Sequence, residues 1–196
     1  TDLTIIDAHS TGSSLTIEGS LSVRLMGLTL RGGFSDRGGG IHASIFRETN
    51  PVTGRIEFYN LMVRGNQALF DGGGIYFAGN VDLVVQGTMI TENSALAGGG
   101  IYLLSNEQQT KRIVCENSSM ISNSATLSGS AVVLNGTDEM NIKDSFVMLN
   151  HAETPTAFPA ISLSDASYFL GINIQWGTGP SENSGADIFN GALFNE

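Results

Sequence analysis

The chain is poor in cysteine, proline and positive charge. It has one cysteine, Cys115, and 4 prolines among 196 residues. One cysteine excludes an internal disulfide framework and a cysteine-based zinc site, and 4 prolines beside 25 glycines exclude collagen and proline-rich linkers. The 9 basic residues stand against 19 acidic ones, for a net charge of -10. This balance argues against nucleic acid and anionic membrane surfaces as partners.

Long apolar runs are also missing. No stretch approaches the roughly 18 residues of a membrane span, so no direct membrane insertion is predicted. The chain shows neither a starting Met nor a signal-peptide pattern, which favours a mature product or a segment of a longer protein. Hydrophobic residues make up 41% of the chain, enough for a packed core. We therefore expect one domain over residues 1–196.

A repeat dominates the sequence. The motif Gly38-Gly39-Gly40-Ile41-His42 recurs at 72–76 and 98–102, with weaker copies at 129–133 and 159–162. Two apolar-variable-apolar triplets accompany each copy, and such period-2 alternation indicates short strands with one buried face. Inward residues of the first strand are assigned as Ile5, Leu30, Val63, Ile90, Ile121, Met148 and Ile174. Their mean spacing is about 28 residues, which is typical of a solenoid.

The predicted fold is all-β: a right-handed parallel β-helix with three short strands per coil and about six coils of roughly 28 residues. The right hand follows from the crossover preference of parallel strands. An inward aliphatic stack is predicted at Ile41, Ile75, Ile101, Val132 and Ile161. A β-sandwich or propeller is the alternative, but sandwich strands are usually longer and joined by antiparallel hairpins.

Two residue types punctuate the repeat. The glycine triplets are expected where the chain turns, since glycine permits positive φ and close backbone approach. Asn66, Asn93, Asn123 and Asn150 follow the first strand and are expected to hydrogen-bond from coil to coil, with asparagine tolerating the left-handed conformation. Cys115 alternates inward and is predicted to be a core residue.

The segment Ile90-Thr91-Glu92-Asn93-Ser94-Ala95-Leu96-Ala97-Gly98-Gly99-Gly100-Ile101-Tyr102 resembles the repeat of the polymorphic outer-membrane protein family. It is equally similar to bacterial surface proteins with right-handed β-helix, pectin-lyase-like repeats. The resemblance covers about residues 20–165 and weakens beyond Val132, where the glycine triplet is lost. It implies a secreted or surface-displayed protein at the outer membrane, often an adhesin.

One candidate ligand face follows from the alternation in the second strand. Because Ile41 and Ala43 point inward, His42 points outward, and Tyr76 and Tyr102 point outward beside it on successive coils. Three stacked planar side chains can bind a sugar ring or an apolar patch of a surface protein. The alternative is that such rings simply suit neighbouring exposed strand positions.

The second candidate is Arg31 with Arg64, which occupy equivalent positions on adjacent coils, roughly 5 Å apart. They belong to a basic cluster of Arg24, Arg31, Arg37, Arg47, Arg55 and Arg64. A subsite for an acidic polysaccharide is one interpretation, because arginine pairs with carboxylates in bidentate fashion. The other is an ion-pair network with the acidic neighbours Asp36, Glu48, Glu57 and Asp71.

Enzymatic chemistry has weaker support. The strand faces carry no ladder of carboxylates, and hydrolysis of a glycosidic bond needs two at a defined separation. Asp36 and Asp71 precede the glycine triplet in two consecutive coils, a hint of calcium. No catalytic residue, metal ligand or cofactor is assigned. The outward row of the first strand is predicted to be an apolar stripe of Thr29, Met62, Met89, Met120, Val147 and Asn173, covered by a loop, a partner or another copy.

The leading hypothesis is a secreted or cell-surface module for adhesion or for recognition of carbohydrate or a surface protein. The alternative is a polysaccharide-degrading lyase or hydrolase of the pectin-lyase-like fold. Both ends read as coil strands rather than caps, including the apolar segment 185–194. We therefore expect further coils or another copy to continue the stack.

Overall fold

The computed structural model describes residues 4–19, 22–45, 54–105, 112–136, 139–152, 160–164, 168–176 and 188–189. Their regular structure consists of 23 strands, β1 to β23, in three sheets. Paired strands run parallel, as between β10 and its two neighbours. In this part of the chain, no helix is long and apolar enough to cross a membrane.

Sheet A has eleven strands, and its two halves join through β19. Its strands are β1 (Thr4–Asp7), β3 (Val23–Met26), β4 (Leu28–Arg31), β7 (Arg55–Tyr59), β8 (Met62–Arg64), β11 (Asp82–Gln86), β12 (Met89–Thr91), β15 (Arg112–Glu116), β16 (Ser119–Ile121), β19 (Glu139–Met148) and β22 (Tyr168–Trp176). Along the sheet they follow the order β1-β4-β8-β12-β16-β19-β15-β11-β7-β3, with β22 beside β19.

Sheets B and C complete each coil. Sheet B contains β2 (Leu15–Glu18), β6 (Ile41–Ile45), β10 (Ile75–Gly79), β14 (Ile101–Leu104), β18 (Val132–Asn135), β21 (Ile161–Ser164) and β23 (Ile188–Phe189), paired in that order. Sheet C contains β5 (Phe34–Arg37), β9 (Gln67–Asp71), β13 (Ser94–Ala97), β17 (Ser124–Ser128) and β20 (His151–Ala152).

The parallel β-helix is confirmed, but its coils differ in detail from the prediction. Four coils of the described chain contain four strands rather than three, at 23–45, 55–79, 82–104 and 112–135. A fifth coil merges the first two strands into β19. The additional strand is the one in sheet C. Its small residues and its register shifts, as between β13 and β9, hide the period-2 pattern that marks the other strands.

The inward aliphatic stack of sheet B is confirmed. Ile41, Ile75, Ile101, Val132 and Ile161 are register partners in sequence, and each is at most 1% exposed. A parallel inward stack in sheet A contains Phe58, Val85, Cys115 and Ile142, all fully buried. One coil cannot bury its own apolar face, so the core exists only as a stack of coils.

The register of the first strand is partly wrong in the sequence analysis. Met120 and Val147 are buried, whereas Ile121 and Met148, which were expected inward, are partly exposed. Ile6 rather than Ile5 pairs with Leu30 at the other end. The predicted stripe of three methionines is therefore wrong, and its outward row runs Thr29, Met62, Met89, Ser119 and Phe146.

The error at Ile121 and Met148 came from one turn residue. Gly87 and Asn117 hold equivalent positions, with φ of 59° and 49°, whereas the sequence motif had aligned Gly87 with Ser118. Asparagine adopts the left-handed conformation in place of glycine at this turn. Because strand side chains alternate with period two, that shift of one residue exchanged the inward and outward faces of the strand.

The asparagine ladder is confirmed. The Nδ2 atoms of Asn66, Asn93 and Asn123 donate to the Oδ1 of the next asparagine at 3.0, 3.0 and 3.1 Å. All four ladder residues, including Asn150, are at most 1% exposed. They are not the left-handed residues, however. Positive φ occurs one position earlier, as at Glu92 with φ of 57°.

A second buried ladder was not predicted from the sequence. Side-chain hydroxyls of Thr88, Ser118 and Ser145 accept hydrogen bonds from the backbone N–H groups of Leu61, Thr88 and Ser118, each in the preceding coil. These bonds satisfy donors at the turn inside sheet A, where the strand ladder is interrupted. Both corners are thus held by polar side chains that stack from coil to coil.

The glycine triplets have the structural role that was predicted. Gly72 has a φ of 67°, and a Cβ on Gly73 would collide with the carbonyl oxygen of Ser94. A Cβ on Gly74 would lie 2.6 Å from the carbonyl oxygen of Gly100. The turn between sheets C and B therefore packs closely against the next coil only because these side chains are absent. The right-handed sense stays a prediction, and segment 185–194 lies almost wholly outside the described residues.

Candidate functional site

The three predicted rings lie together on the outward face of sheet B. His42, Tyr76 and Tyr102 are register partners on β6, β10 and β14. The His42 and Tyr76 ring centroids are 5.2 Å apart with an interplanar angle of 30°, and those of Tyr76 and Tyr102 are 5.8 Å apart at 20°. The rings thus form one continuous stack, which we call the ring stack.

The middle of the ring stack is closed to solvent. Tyr76 is only 4% exposed, and the Arg37 guanidinium lies over its ring, 5.6 Å from the centroid. Burial raises the pKa of both tyrosines. Tyr102 Oη accepts a 2.8 Å hydrogen bond from Asn135 Nδ2. Tyr76 and Tyr102 therefore form the inner part of the ring stack. His42 forms its end, on the side that faces β2.

Arg37 is held from several sides. Its Nε donates to Asp71 Oδ2 at 2.9 Å, and this bond raises the pKa of the guanidinium. Its backbone carbonyl accepts a 3.1 Å hydrogen bond from His42 Nδ1. The ring of His42 is oriented by that bond, because Nδ1 can reach the carbonyl in only one ring orientation.

A groove of about 370 Å³ lies at the His42 end of the stack. Its walls come from β2 and β6 of sheet B and from β5 of sheet C, and they include Thr16, Glu18, Ser35, Asp36, Arg37 and His42. Thr16 is the register partner of His42. The groove exists because a small threonine occupies the position where the next three coils carry rings, and its volume is within the range of small-molecule sites.

The acidic groups of this groove have no partners within the part of the chain that the structure describes. Glu18 and Asp36 are exposed, and neither makes a hydrogen bond or an ion pair within the described residues. Arg37, the cation of the groove, is already paired with Asp71. The uncompensated charge in the groove is therefore negative.

The predicted arginine pair lies elsewhere. Arg31 and Arg64 are register partners at the corner between sheets A and C, as expected from their spacing. Arg31 Nε donates to Asp7 Oδ2 at 2.8 Å. The pKa of Asp7 lies below its usual value, mainly because the backbone N–H of His9 donates a hydrogen bond to its carboxylate. The hydrogen bond from Arg31 makes the second contribution. Arg64 is exposed and makes no ion pair within the described residues. Sheet C separates this pair from the ring stack.

Other members of the basic cluster form the ion pairs that the sequence analysis considered. Arg24 Nη2 lies 2.6 Å from Glu57 Oε2, and Arg55 Nη1 lies 3.7 Å from Glu57 Oε1. The hydrogen bond from Arg24 holds the pKa of Glu57 low. Glu57 and Asp71 thus act as partners, Asp36 does not, and Arg47 and Glu48 lie outside the described residues.

The described residues offer few groups for binding a metal ion or for nucleophilic catalysis. Asp71, one of the two aspartates that suggested a calcium site, forms an ion pair with Arg37. No three His, Cys, Asp or Glu side chains of the described chain come close enough to hold a metal ion. Burial raises the pKa of the Cys115 thiol to about 12, against opposing hydrogen bonds from Ser118 and Ser145. That thiol stays protonated and belongs to the core.

Thr16 and Glu18 were not predicted as site residues, and Arg37 was considered only as a member of the basic cluster. The alternation Leu15-Thr16-Ile17 could have extended the outward ladder of sheet B back by one coil. Comparison with known proteins adds no assignment: no family profile, no curated protein and no solved structure matches this chain. The resemblance to outer-membrane and pectin-lyase-like repeats therefore stays a prediction from the motif.

Proposed function

We propose that this chain is a β-helical recognition module that binds a carbohydrate in the groove beside His42. The observation that carries the proposal is the ring stack, which ends at an open groove where Thr16 replaces a ring. Following the motif resemblance, we further propose that the module is secreted or displayed at the cell surface, where it adheres to a polysaccharide or to a glycosylated surface protein.

The chemistry of the groove suits a sugar. A pyranose ring presents C–H groups on one face, and these pack against the face of a planar ring such as the His42 imidazole. Its hydroxyl groups donate hydrogen bonds, and the unpaired carboxylates of Glu18 and Asp36 are strong acceptors. Ser35 and Thr16 add hydroxyls that both donate and accept.

The orientation of His42 is set before a ligand arrives. Its Nδ1 is bonded to the Arg37 carbonyl, and its ring rests on Tyr76. A side chain already held in the bound orientation loses little conformational entropy on binding. Arg31 and Arg64 form a separate candidate contact across sheet C. Arg64, which makes no ion pair within the described residues, suits a carboxylate or sulfate group of a long chain, whereas Arg31 beside it is already bound to Asp7.

Binding is tested by titrating neutral oligosaccharides into the wild type and into His42→Ala. We expect about a fivefold loss of affinity in the variant, since stacking is worth about 1 kcal/mol. His151→Ala is the control, because it removes an exposed histidine from the fifth coil, away from the groove. Equal affinity in wild type and His42→Ala, or no binding at all, would contradict the proposal.

The alternative function is a polysaccharide-degrading enzyme, and one observation favours it. Glu18 and Asp36 line the same groove, and two carboxylates flanking a glycosidic bond are the requirement for hydrolysis. The same titrated sugars are therefore assayed for new reducing ends. Cleavage that disappears in Glu18→Gln and in Asp36→Asn would establish the enzyme, whereas binding without cleavage supports the recognition module.

A further inference from the structure

We infer that the groove selects a sugar that carries a protonated amino group, that is, a hexosamine without its N-acetyl group. This inference rests on the proposed function and names its ligand class. It follows from three features of the groove: the charge that remains uncompensated, the position of that charge, and the ring at the end of the stack.

Among the described residues, the groove holds two negative charges and no free positive charge. Glu18 and Asp36 have no partner within the described residues, whereas Arg37 is neutralised by Asp71 at 2.9 Å. Two neighbouring cations that the structure describes are paired elsewhere. Arg24 is bound to Glu57 and Arg31 to Asp7. An acidic sugar would therefore meet like charges in the groove, and a cationic one would meet opposite charges.

The two carboxylates are placed to act on one ligand. Glu18 follows Thr16 by two residues on β2, so both side chains lie on the outward face of sheet B. Asp36 lies on β5, on the wall that sheet C contributes. A ring seated above Thr16 would thus have a carboxylate on either side, so that an ammonium group on either edge of the ring would meet one of them.

The ring stack adds a requirement for shape. A flexible amine alone gains only the charge interaction, which in an exposed groove is weak. A ring that carries the amine also packs on His42 and continues the stack. The combination distinguishes an amino sugar from a neutral sugar, which lacks the charge, and from a polyamine or a lysine peptide, which lacks the ring.

The test compares four ligands on the full chain by calorimetric titration: a glucosamine tetramer, its N-acetylated counterpart, a galacturonic acid tetramer and tetralysine. The buffer is acidic enough to protonate the sugar amine and lies above the ordinary carboxyl pKa of about 4. We expect the glucosamine tetramer to bind about tenfold tighter than the N-acetylated tetramer, an advantage that falls with added salt. We expect galacturonic acid and tetralysine to bind more weakly than either.

Variants separate the charge from the stacking. Glu18→Gln combined with Asp36→Asn should remove the tenfold preference while leaving binding of the N-acetylated tetramer intact. Glu92→Gln is the matched control, since it neutralises an exposed carboxylate two coils away and should preserve the preference.

The outcomes also separate this inference from the proposed function. Equal binding of both tetramers, with loss in His42→Ala, would overturn the amino-sugar inference and leave the carbohydrate module standing. Tetralysine binding as tightly as the glucosamine tetramer would also overturn it. Absence of binding by every sugar would overturn both.

Discussion

Replacing Asn93 by aspartate puts a carboxylate into the buried asparagine ladder. The Asn93 Oδ1 accepts hydrogen bonds from the backbone N and the Nδ2 of Asn66, at 3.1 and 3.0 Å. Its Nδ2 donates to the Val63 carbonyl at 2.9 Å and to Asn123 Oδ1 at 3.0 Å. In the variant, one carboxylate oxygen keeps the bonds from Asn66, but the other faces two acceptors with nothing to donate.

The cost depends on the charge of the new carboxyl group. When ionised, it is a buried charge without a cationic partner, which destabilises a fold by about 3–5 kcal/mol. When protonated, its hydroxyl can donate to either Val63 O or Asn123 Oδ1, so that one bond is lost at a cost of about 1–2 kcal/mol. A domain of this size is stable by about 5–15 kcal/mol. We therefore expect a large but measurable loss at neutral pH.

The direction of the pH dependence follows from that difference. Because the folded state disfavours the ionised form, the pKa of the introduced carboxyl is raised above its unfolded value of about 3.9. The charge penalty is absent below that unfolded pKa and grows as pH rises, until it is complete above the folded pKa. Relative to wild type, Asn93→Asp should therefore be about 2 kcal/mol less destabilised in acid than at neutral pH.

Urea unfolding at neutral and at acidic pH, monitored by circular dichroism, measures both the loss of stability and its dependence on pH. Asn117→Asp is the control, because Asn117 is exposed and aspartate tolerates its left-handed φ of 49°. Its stability should stay within about 0.5 kcal/mol of wild type. A loss below about 1 kcal/mol in Asn93→Asp, or the same loss at both pH values, would refute the ladder as a stabilising network.

Three further predictions concern the core. Ile101→Asp should lower the melting temperature far more than Tyr102→Asp, because Ile101 is 1% exposed whereas Tyr102 is partly exposed; equal losses would contradict the register. Ser130→Ala should stabilise the fold by about 1 kcal/mol, since the buried Ser130 Oγ has no hydrogen-bond partner among the residues that the structure describes; destabilisation in urea unfolding would show otherwise. Cys115 should resist a thiol reagent in the native state and react after unfolding, which rapid native labelling would disprove.

Local pattern was sufficient for the solenoid and its main stacks. The Gly-Gly-Gly-Ile repeat, with alternation around Ile75 and Ile101, predicted both the parallel pairing and the outward position of Tyr76 and Tyr102. The spacing of Asn66 and Asn93 predicted the amide ladder. These features depend on repetition alone, because each coil stacks on its neighbour in a register that the repeat itself sets.

The local sequence pattern did not predict the strand faces correctly where two different residue types adopt the same backbone conformation. Asn117 takes the place of Gly87 at a left-handed turn, whereas the sequence motif aligned Ser118 there. The predicted faces of β16 were therefore exchanged, and Met120, which is buried, was expected to be exposed. The strand of sheet C was missed for a related reason. Its register shifts, such as the one between Ala95 and Ala97, break the period that sequence analysis detects.

The sequence by itself determined the parallel β-helix, its inward ladders and the stack of His42 on Tyr76, since all of these follow from residues that recur at equivalent positions. Only the tertiary structure decided the groove. Glu18, Asp36 and His42 come from two sheets, and their meeting depends on how sharply the chain turns at Gly38. Whether Arg37 is a free cation likewise depended on the neighbouring coil, which places Asp71 beside it. Contacts between sheets and between non-identical side chains are set by the path of the backbone in space, and the period of a repeat does not contain that path.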